Sequence, residues 1–307
     1  MKKQSLFNIE YLPLKVTLTF QERAELPPFL GSALRGAIGQ ALYRTDQEAY
    51  AFLYAKGKNS EGKQDIAKPY MVIPPKISIE NRVVEAGEEL SFEIVLFGSA
   101  EKYVDALTKA LRRSSKYGLG ARRYGFELCR ISNGGKQRIH WQEYLFYEAG
   151  ASGGKKSGQK LSCVTGTIIR LCTPLRIRRG GQLLESISFE TLIRNIINRI
   201  LRLTERYGGW IDIGEAEKIQ SLAAGVKTVR ENLNIHHLQR YSNRVQDKMD
   251  FSGLMGEVEY EGDLTPFVSW LSAAQILHIG RNTTFGMGKI QVYFKLEEKR
   301  VSWEEAE

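Results

Sequence analysis

The chain has 307 residues, enough for one large domain or two ordinary ones, and 42% of them are hydrophobic, which supports a substantial core. Lysine and arginine exceed aspartate and glutamate by 44 to 35, a net charge of +9 that favours a polyanionic partner. No apolar run approaches the ~18–20 residues of a membrane span, and the cysteines Cys129, Cys163 and Cys172 have no close pair to suggest a disulfide framework or zinc site.

Taken in order, Leu14, Val16, Leu18 and Phe20 alternate with polar residues, the period of a half-buried strand. Pro27 and Pro28 turn the chain into a helix marked by Leu30, Ala33, Leu34, Ala37, Ile38, Ala41 and Leu42, with Arg35, Gly36, Gly39, Gln40 and Tyr43 opposite. Glycines inside a helix cost roughly 1 kcal/mol each relative to alanine, so a close neighbour is expected there. A polar, turn-rich insertion follows at 56–68, then strands near Met71–Ile79 and Leu90–Phe97. A helix carrying Tyr103, Leu107, Ala110 and Leu111 leads through the glycine-rich Tyr117–Gly125 into a strand, Phe126–Ile131. Eight cations fall between Arg112 and Arg138, Arg122 and Arg123 among them, against the single acid Glu127.

The same order then repeats. A linker or hairpin tip rich in Gly, Ser and Lys spans 149–162. Val164–Cys172 reads as a strand, Arg176, Arg178 and Arg179 as a basic turn, and Phe189 to Leu201 as an amphipathic helix capped by Ser188. Its outer face carries Arg194, Arg199, Arg202 and Arg206. A helical insertion is expected over Glu215–Asn232, and a hairpin is expected from Gln239–Gln246 and Leu254–Tyr260. Leu264, Phe267, Leu271, Ala274 and His278 mark one face of the last helix. The loop His278-Ile-Gly-Arg-Asn-Thr-Thr-Phe-Gly-Met-Gly-Lys289 follows, and Ile290–Leu296 closes the pattern. The fold class is therefore α+β, two tandem ferredoxin-like (RRM-like) β-α-β-β-α-β domains at 1–148 and 163–296, with an acidic tail at 297–307.

The stretch Leu30–Leu42, the run Arg240-Tyr-Ser-Asn-Arg244 with Gly253-Leu-Met-Gly256, and the glycine loop resemble, in that order along the chain, motifs of the CRISPR-associated endoribonucleases that process repeat RNA, a branch of the RAMP superfamily. The resemblance implies a repeat-specific endoribonuclease cleaving precursor crRNA. The substrate's 2′-OH attacks the adjacent phosphorus, leaving a 5′-hydroxyl and a 2′,3′-cyclic phosphate. Repeat RNA, as pre-crRNA and crRNA, is the implied partner, with other Cas effector subunits as further candidates. The alternative within the same superfamily is a catalytically silent subunit that holds crRNA in an effector complex.

The residues fit a metal-free reaction without any cofactor. The sequence shows no His/Cys/carboxylate cluster at metal-ligand spacing, and adjacent acids such as Glu88 and Glu89 point to opposite faces of a strand. Such cleavage needs a base, an acid and cations on the phosphate. Many family members carry a histidine on the first helix, in a position resembling Gln40, and glutamine transfers no proton. Of the four histidines, His278 reads as structural support for the glycine loop and His140 as bland. His236 and His237 precede the basic strand bearing Arg240 and Arg244; adjacent extended residues face opposite ways, so at most one of the two reaches RNA. His237 is preferred, with Tyr43 as a proton-transfer partner. RNA contacts are expected from Arg35, Arg122, Arg123, Arg240, Arg244, Gly280, Arg281, Asn282, Thr283, Gly286, Gly288 and Lys289. Valine at Gly286 is expected to impair binding while leaving the fold largely intact. The first ten residues lack a signal-peptide core, so a reduced, cytoplasmic setting is expected.

Overall fold

A computed structural model describes residues 6–54, 67–78, 80–140, 160–242 and 247–300. The first sheet is organised by β1 (Phe7–Phe20), whose side chains alternate between two covered faces. Leu12, Leu14, Val16, Leu18 and Phe20 enter one core; Phe7 and Ile9 face the other way and enter a second. Along one edge β1 pairs with β3 (Glu89–Phe97), which also pairs with β2 (Tyr70–Ile73). Along its other edge lie β4 (Phe126–Asn133) and β5 (Gln137–His140). Helices α1 (Gly31–Thr45) and α3 (Val104–Ser114) cover the face to which the even positions of β1 point, and α2 (Gln47–Tyr54) extends this layer. The strand order β2-β3-β1-β4 with paired helices is ferredoxin-like.

The second unit repeats this order. β6 (Lys160–Leu175) lies between β11 (Gly253–Glu261) and β12 (Ile290–Arg300), and β8 (Lys227–His236) forms the far edge. Helix α4 (Phe189–Tyr207) starts where the Ser188 side chain accepts a hydrogen bond from the Thr191 amide at 3.3 Å. It buries Leu192, Ile193, Ile196, Ile200 and Leu203, the 3-4 spacing of one helical face. Helix α6 (Val268–Leu277) buries Trp270, Leu271, Ala273, Ala274 and Leu277, more than one face. It lies between its own sheet and the back of the first sheet, where Trp270 meets Phe7 at 4.8 Å between ring centroids. A two-residue strand, β7 (Trp210–Ile211), follows α4 and pairs with β1 at Phe7 and Asn8. The two units therefore share a core and a sheet edge.

Three expected elements differ from those observed. The strand expected to run to Ile79 stops at Ile73, because Pro74 and Pro75 have no amide to donate to a ladder. The expected helix over 215–232 splits into α5 (Ile213–Leu222) and the edge strand β8. Strand β8, rather than Gln239–Gln246, is the partner of β11, while β9 (Gln239–Ser242) and β10 (Asp247–Asp250) form a separate hairpin. Strand β6 begins inside the expected linker, and β12 runs into the expected acidic tail as far as Arg300. The 56–66 part of the insertion, linker residues 149–159 and tail residues 301–307 lie outside the described residues.

Candidate nucleic-acid interface

Between the two units, a cavity of about 410 Å³ opens where β6 ends, α4 presents its outer face and the glycine loop turns. Pro174 ends β6, and the turn beyond supplies Arg176, Arg178 and Arg179. Helix α4 supplies Arg194, Asn195, Asn198, Arg199 and Arg202, positions that recur within two turns. The glycine loop contributes Gly280 to Thr284, and the first unit contributes Ala67 and Lys68 just ahead of β2. The lining thus holds seven arginines, one lysine and no carboxylate. Burial foremost pushes the Arg199 guanidinium down to about 10, with the Arg202 charge acting the same way. Burial likewise lowers Arg176 and Lys68, the latter also through the nearby charges of Arg35 and Arg206.

The basic turn is held from behind. Arg176 donates to the Ser252 carbonyl and, at 3.2 Å, to Asp250, which also accepts from Arg178 at 3.3 Å. Desolvation raises the Asp250 pKa, but hydrogen bonds from Ser252 and Arg176 outweigh it and bring the carboxyl to about 2. The Arg281 amide donates to the Arg176 carbonyl at 2.8 Å, fastening the glycine loop to this turn. His278 is buried, and its Nδ1–H donates to the Met287 carbonyl at 3.2 Å. Burial lowers its pKa to about 3, so at neutral pH it is an uncharged support for the loop.

The loop's glycines turn toward protein. A Cβ on Gly286 would lie 2.7 Å from the Val72 carbonyl oxygen and overlap Pro74, and one on Gly288 would overlap the Ile279 carbonyl. Their amides donate to the carbonyls of Thr283 and Pro174. The expectation that Gly286 tolerates valine with the fold intact is therefore corrected: the space is filled by β2, and φ is +83°. Arg35 is also occupied by protein. Its guanidinium lies 4.8 Å from the Tyr54 ring centroid and 4.5 Å from that of Phe285, clamping α1 to the loop. Phe285 in turn meets Phe251 edge-on at 5.0 Å, and Phe29, Phe251, Phe285 and Met287 form an apolar joint between the units. Thr283 is buried, whereas Arg281 and Lys289 are exposed and Asn282 and Gly280 are half-buried.

The histidines stand beside the cavity rather than in its lining. His236 ends β8 opposite Gly253, whose neighbour Ser252 accepts from Arg176. His237 follows, exposed, and Leu238 bonds both Ser252 and Phe251. Tyr43 is 54% exposed on α1 and packs edge-on against Tyr50 at 5.0 Å; no contact among the described residues joins it to either histidine. Gln40 is exposed on the same helix. Arg122 and Arg123 are exposed in the first unit's glycine loop, Arg123 with φ +57°. Only the backbone of Arg240 is described, in β9, and Arg244 lies outside the described residues. Sequence reasoning noticed the arginines of the 176–179 turn and of α4 but did not bring them together with Lys68 and Arg281.

The open face of the second sheet, where RRM domains stack bases, carries Glu257, Glu259 and Glu261 along β11. Arg170 is paired with Glu257 at 2.6 Å, and Lys295 with Glu259. This face neutralises itself, while the cavity's cations converge without acids in the lining.

Residues 169–290 match the family model for CRISPR-associated endoribonuclease Cas6. That match spans most of the second unit, from β6 to the start of β12. Residues 8–152 match a second family model, described as an N-terminal domain. An uncharacterised protein of Archaeoglobus fulgidus is 25% identical over 93% of this chain and 99% of its own length. Among solved structures, a Thermus thermophilus Cas6 product complex aligns with TM-score 0.58 at 14% identity, over 92% of this chain and 99% of that one. A partial Cas6-RT-Cas1–Cas2 complex aligns with TM-score 0.59 at 11% identity, covering 96% of this chain and 48% of the other. At these identities the structural likenesses establish the fold alone, two tandem ferredoxin-like units. None of its described helices is long and apolar enough to cross a membrane.

Proposed function

We propose that the protein is a repeat-specific endoribonuclease that processes precursor crRNA. The observation that carries this reading is the acid-free arginine cavity at the junction of a Cas6-family fold. Phosphate contacts position RNA without reading its sequence, and arginine forks suit them. Cleavage follows from attack of the substrate's 2′-OH on the adjacent phosphorus, independent of metal, giving a 5′-hydroxyl and a 2′,3′-cyclic phosphate. Electrostatic support for the crowded phosphate comes from the cavity's cations. The exposed His237, or His236 beside it, supplies proton transfer at the cavity's rim, with Tyr43 as the further candidate. Arg122, Arg123, Arg240, Arg244, Arg281, Asn282 and Lys289 add RNA contacts. The likeness to Cas6 bound to product and to a Cas6-RT-Cas1–Cas2 assembly supports repeat RNA and other Cas proteins as partners.

The second reading, a silent RNA-holding subunit, is favoured by the exposed Gln40 on the first helix and by the burial of His278. Single-turnover cleavage of end-labelled repeat RNA in EDTA and in magnesium separates the two readings. The nuclease reading expects equal rates in both and a cyclic phosphate on the product. His237→Ala is expected to keep affinity and lower the rate by roughly a hundredfold. Cleavage that requires magnesium refutes the mechanism, and tight binding without cleavage establishes the silent subunit.

A further inference from the structure

We propose that the cavity is a seat for a single ribonucleotide unit of an unpaired RNA strand, with its phosphate on Arg199; this rests on the reading that the cavity binds RNA. Arg199 is 8% exposed, donates from Nε to the Leu277 carbonyl at 3.3 Å, and has its guanidinium 5.7 Å from the Phe97 ring centroid. Its Nη2 has no hydrogen-bond partner, and neither does Nε of Arg176, which is 4% exposed. Buried donors are ordinarily satisfied, and an exception calls for a missing acceptor. Two such donors belong to side chains lining the same cavity, among eight cations whose carboxylate partners, Asp250 for Arg176 and Arg178 and Glu190 for Arg194, stand outside the lining. An anion both accepts the unused hydrogen bond and relieves the repulsion among those cations.

The size of the cavity defines the unit. At about 410 Å³ it lies toward the small end of small-molecule sites, suited to one nucleotide and too small for a duplex. Asn195, Asn198, Thr191 and Thr284 supply neutral donors and acceptors for a ribose or base edge. A strand entering this seat therefore turns one nucleotide in and leaves its neighbours outside. The ribonucleotide phosphate is the shared chemistry, and either an RNA strand or a free nucleotide could bring it.

The test uses the full chain and four probes: inorganic pyrophosphate, uridine monophosphate, a single-stranded RNA octamer carrying one 2-aminopurine, and a blunt RNA duplex. Titration should show the octamer binding with its fluorescence raised as the 2-aminopurine leaves its stack, displaced by pyrophosphate and uridine monophosphate but not by the duplex at equal concentration. Arg199→Lys keeps the charge but loses the fork, and should weaken octamer binding about tenfold with its thermal midpoint little changed. Should that variant misfold, Arg202→Ala on the exposed side of α4 carries the same expectation. Equal octamer affinity in wild type and Arg202→Ala overturns the seat, as does competition by the duplex as strong as that by the single strand. Binding of uridine monophosphate tighter than that of the octamer overturns the assignment to a strand and gives the cavity to a free nucleotide. Because binding is read without cleavage, a wild type that fails to cut repeat RNA refutes the nuclease reading alone. A failed seat with cleavage intact leaves that reading standing.

Discussion

Removing the titration of His278 should make the protein more acid-resistant by an amount set by that residue's burial. The ring is 1% exposed, and burial, reinforced by the charge of Lys289, lowers its pKa from 6.5 to about 3. The unfolded chain therefore takes up a proton below pH 6.5 that the folded chain refuses. Stability from this group is full above 6.5 and is lost as pH falls toward 3, at about 1.4 kcal/mol per unit. From about pH 7.5 to about pH 5 the loss comes to roughly 2 kcal/mol, part of it arising before the linear slope is reached. His278→Asn is the informative change. The asparagine amide takes the place of the Nδ1–H and donates to the Met287 carbonyl, while the backbone at φ +53° and ψ 154° strains histidine and asparagine alike, so it does not bias the comparison between the two pH values. Urea unfolding of both proteins at the two pH values measures the effect. The wild type should lose about 2 kcal/mol more than the variant on acidification. Parallel losses would mean that His278 is protonated in the folded protein and that its burial has been misjudged.

Gly31→Ala would place a Cβ against the Phe285 carbonyl, so α1 must withdraw from the loop; overpacking of this kind costs about 1–3 kcal/mol, read as a lower thermal midpoint. Gly286→Val should destabilise similarly, because the clash is with Pro74 and Val72. Arg35→Met removes the guanidinium between Tyr54 and Phe285 and should cost about 1–2 kcal/mol in urea unfolding; an unchanged midpoint would refute the clamp. Replacing Arg122 and Arg123 by Glu should weaken RNA binding at low salt and flatten the dependence of log affinity on log salt. Unchanged affinity at every salt concentration would reduce the pair to a solvated surface.

Local patterns carried the fold. Alternation along β1, the 3-4 spacing of α4 and the Ser188 cap each arise from neighbours a few residues apart, so each was visible in the sequence. Strand β8 was not, because an exposed edge strand has little apolar pattern to show. Val229, Leu233 and Ile235 alternate, but Glu231 interrupts them, and most of the strand faces solvent. The cavity was illegible for a different reason: Lys68 and Arg281 come from opposite ends of the chain and meet only through the packing of the two units. Glycines announced that something approaches the loop closely. Whether that neighbour is RNA or protein depends on what lies across the gap, and at Gly286 it is β2.

The two glycine loops show why the duplicated halves are not interchangeable. In the first unit, Gly118–Gly125 folds back on its own domain, near Leu26 and Gln21, and leaves Arg122 and Arg123 in solvent. In the second, the equivalent loop docks across the junction, onto Gly31 of α1 and the Val72–Pro74 end of β2. Its glycines are used to let two backbones meet, and the cations at that end come instead from the 176–179 turn and α4. Lys68 sits two residues before β2, the strand on which the loop rests. A change at the joint, such as Gly31→Ala, therefore displaces the Lys68 wall of the cavity relative to the Arg281 wall, although neither Gly31 nor Phe285 lines it. The joint and the cavity form one mechanical unit, so RNA affinity should fall with the docking of the loop even where every cation remains.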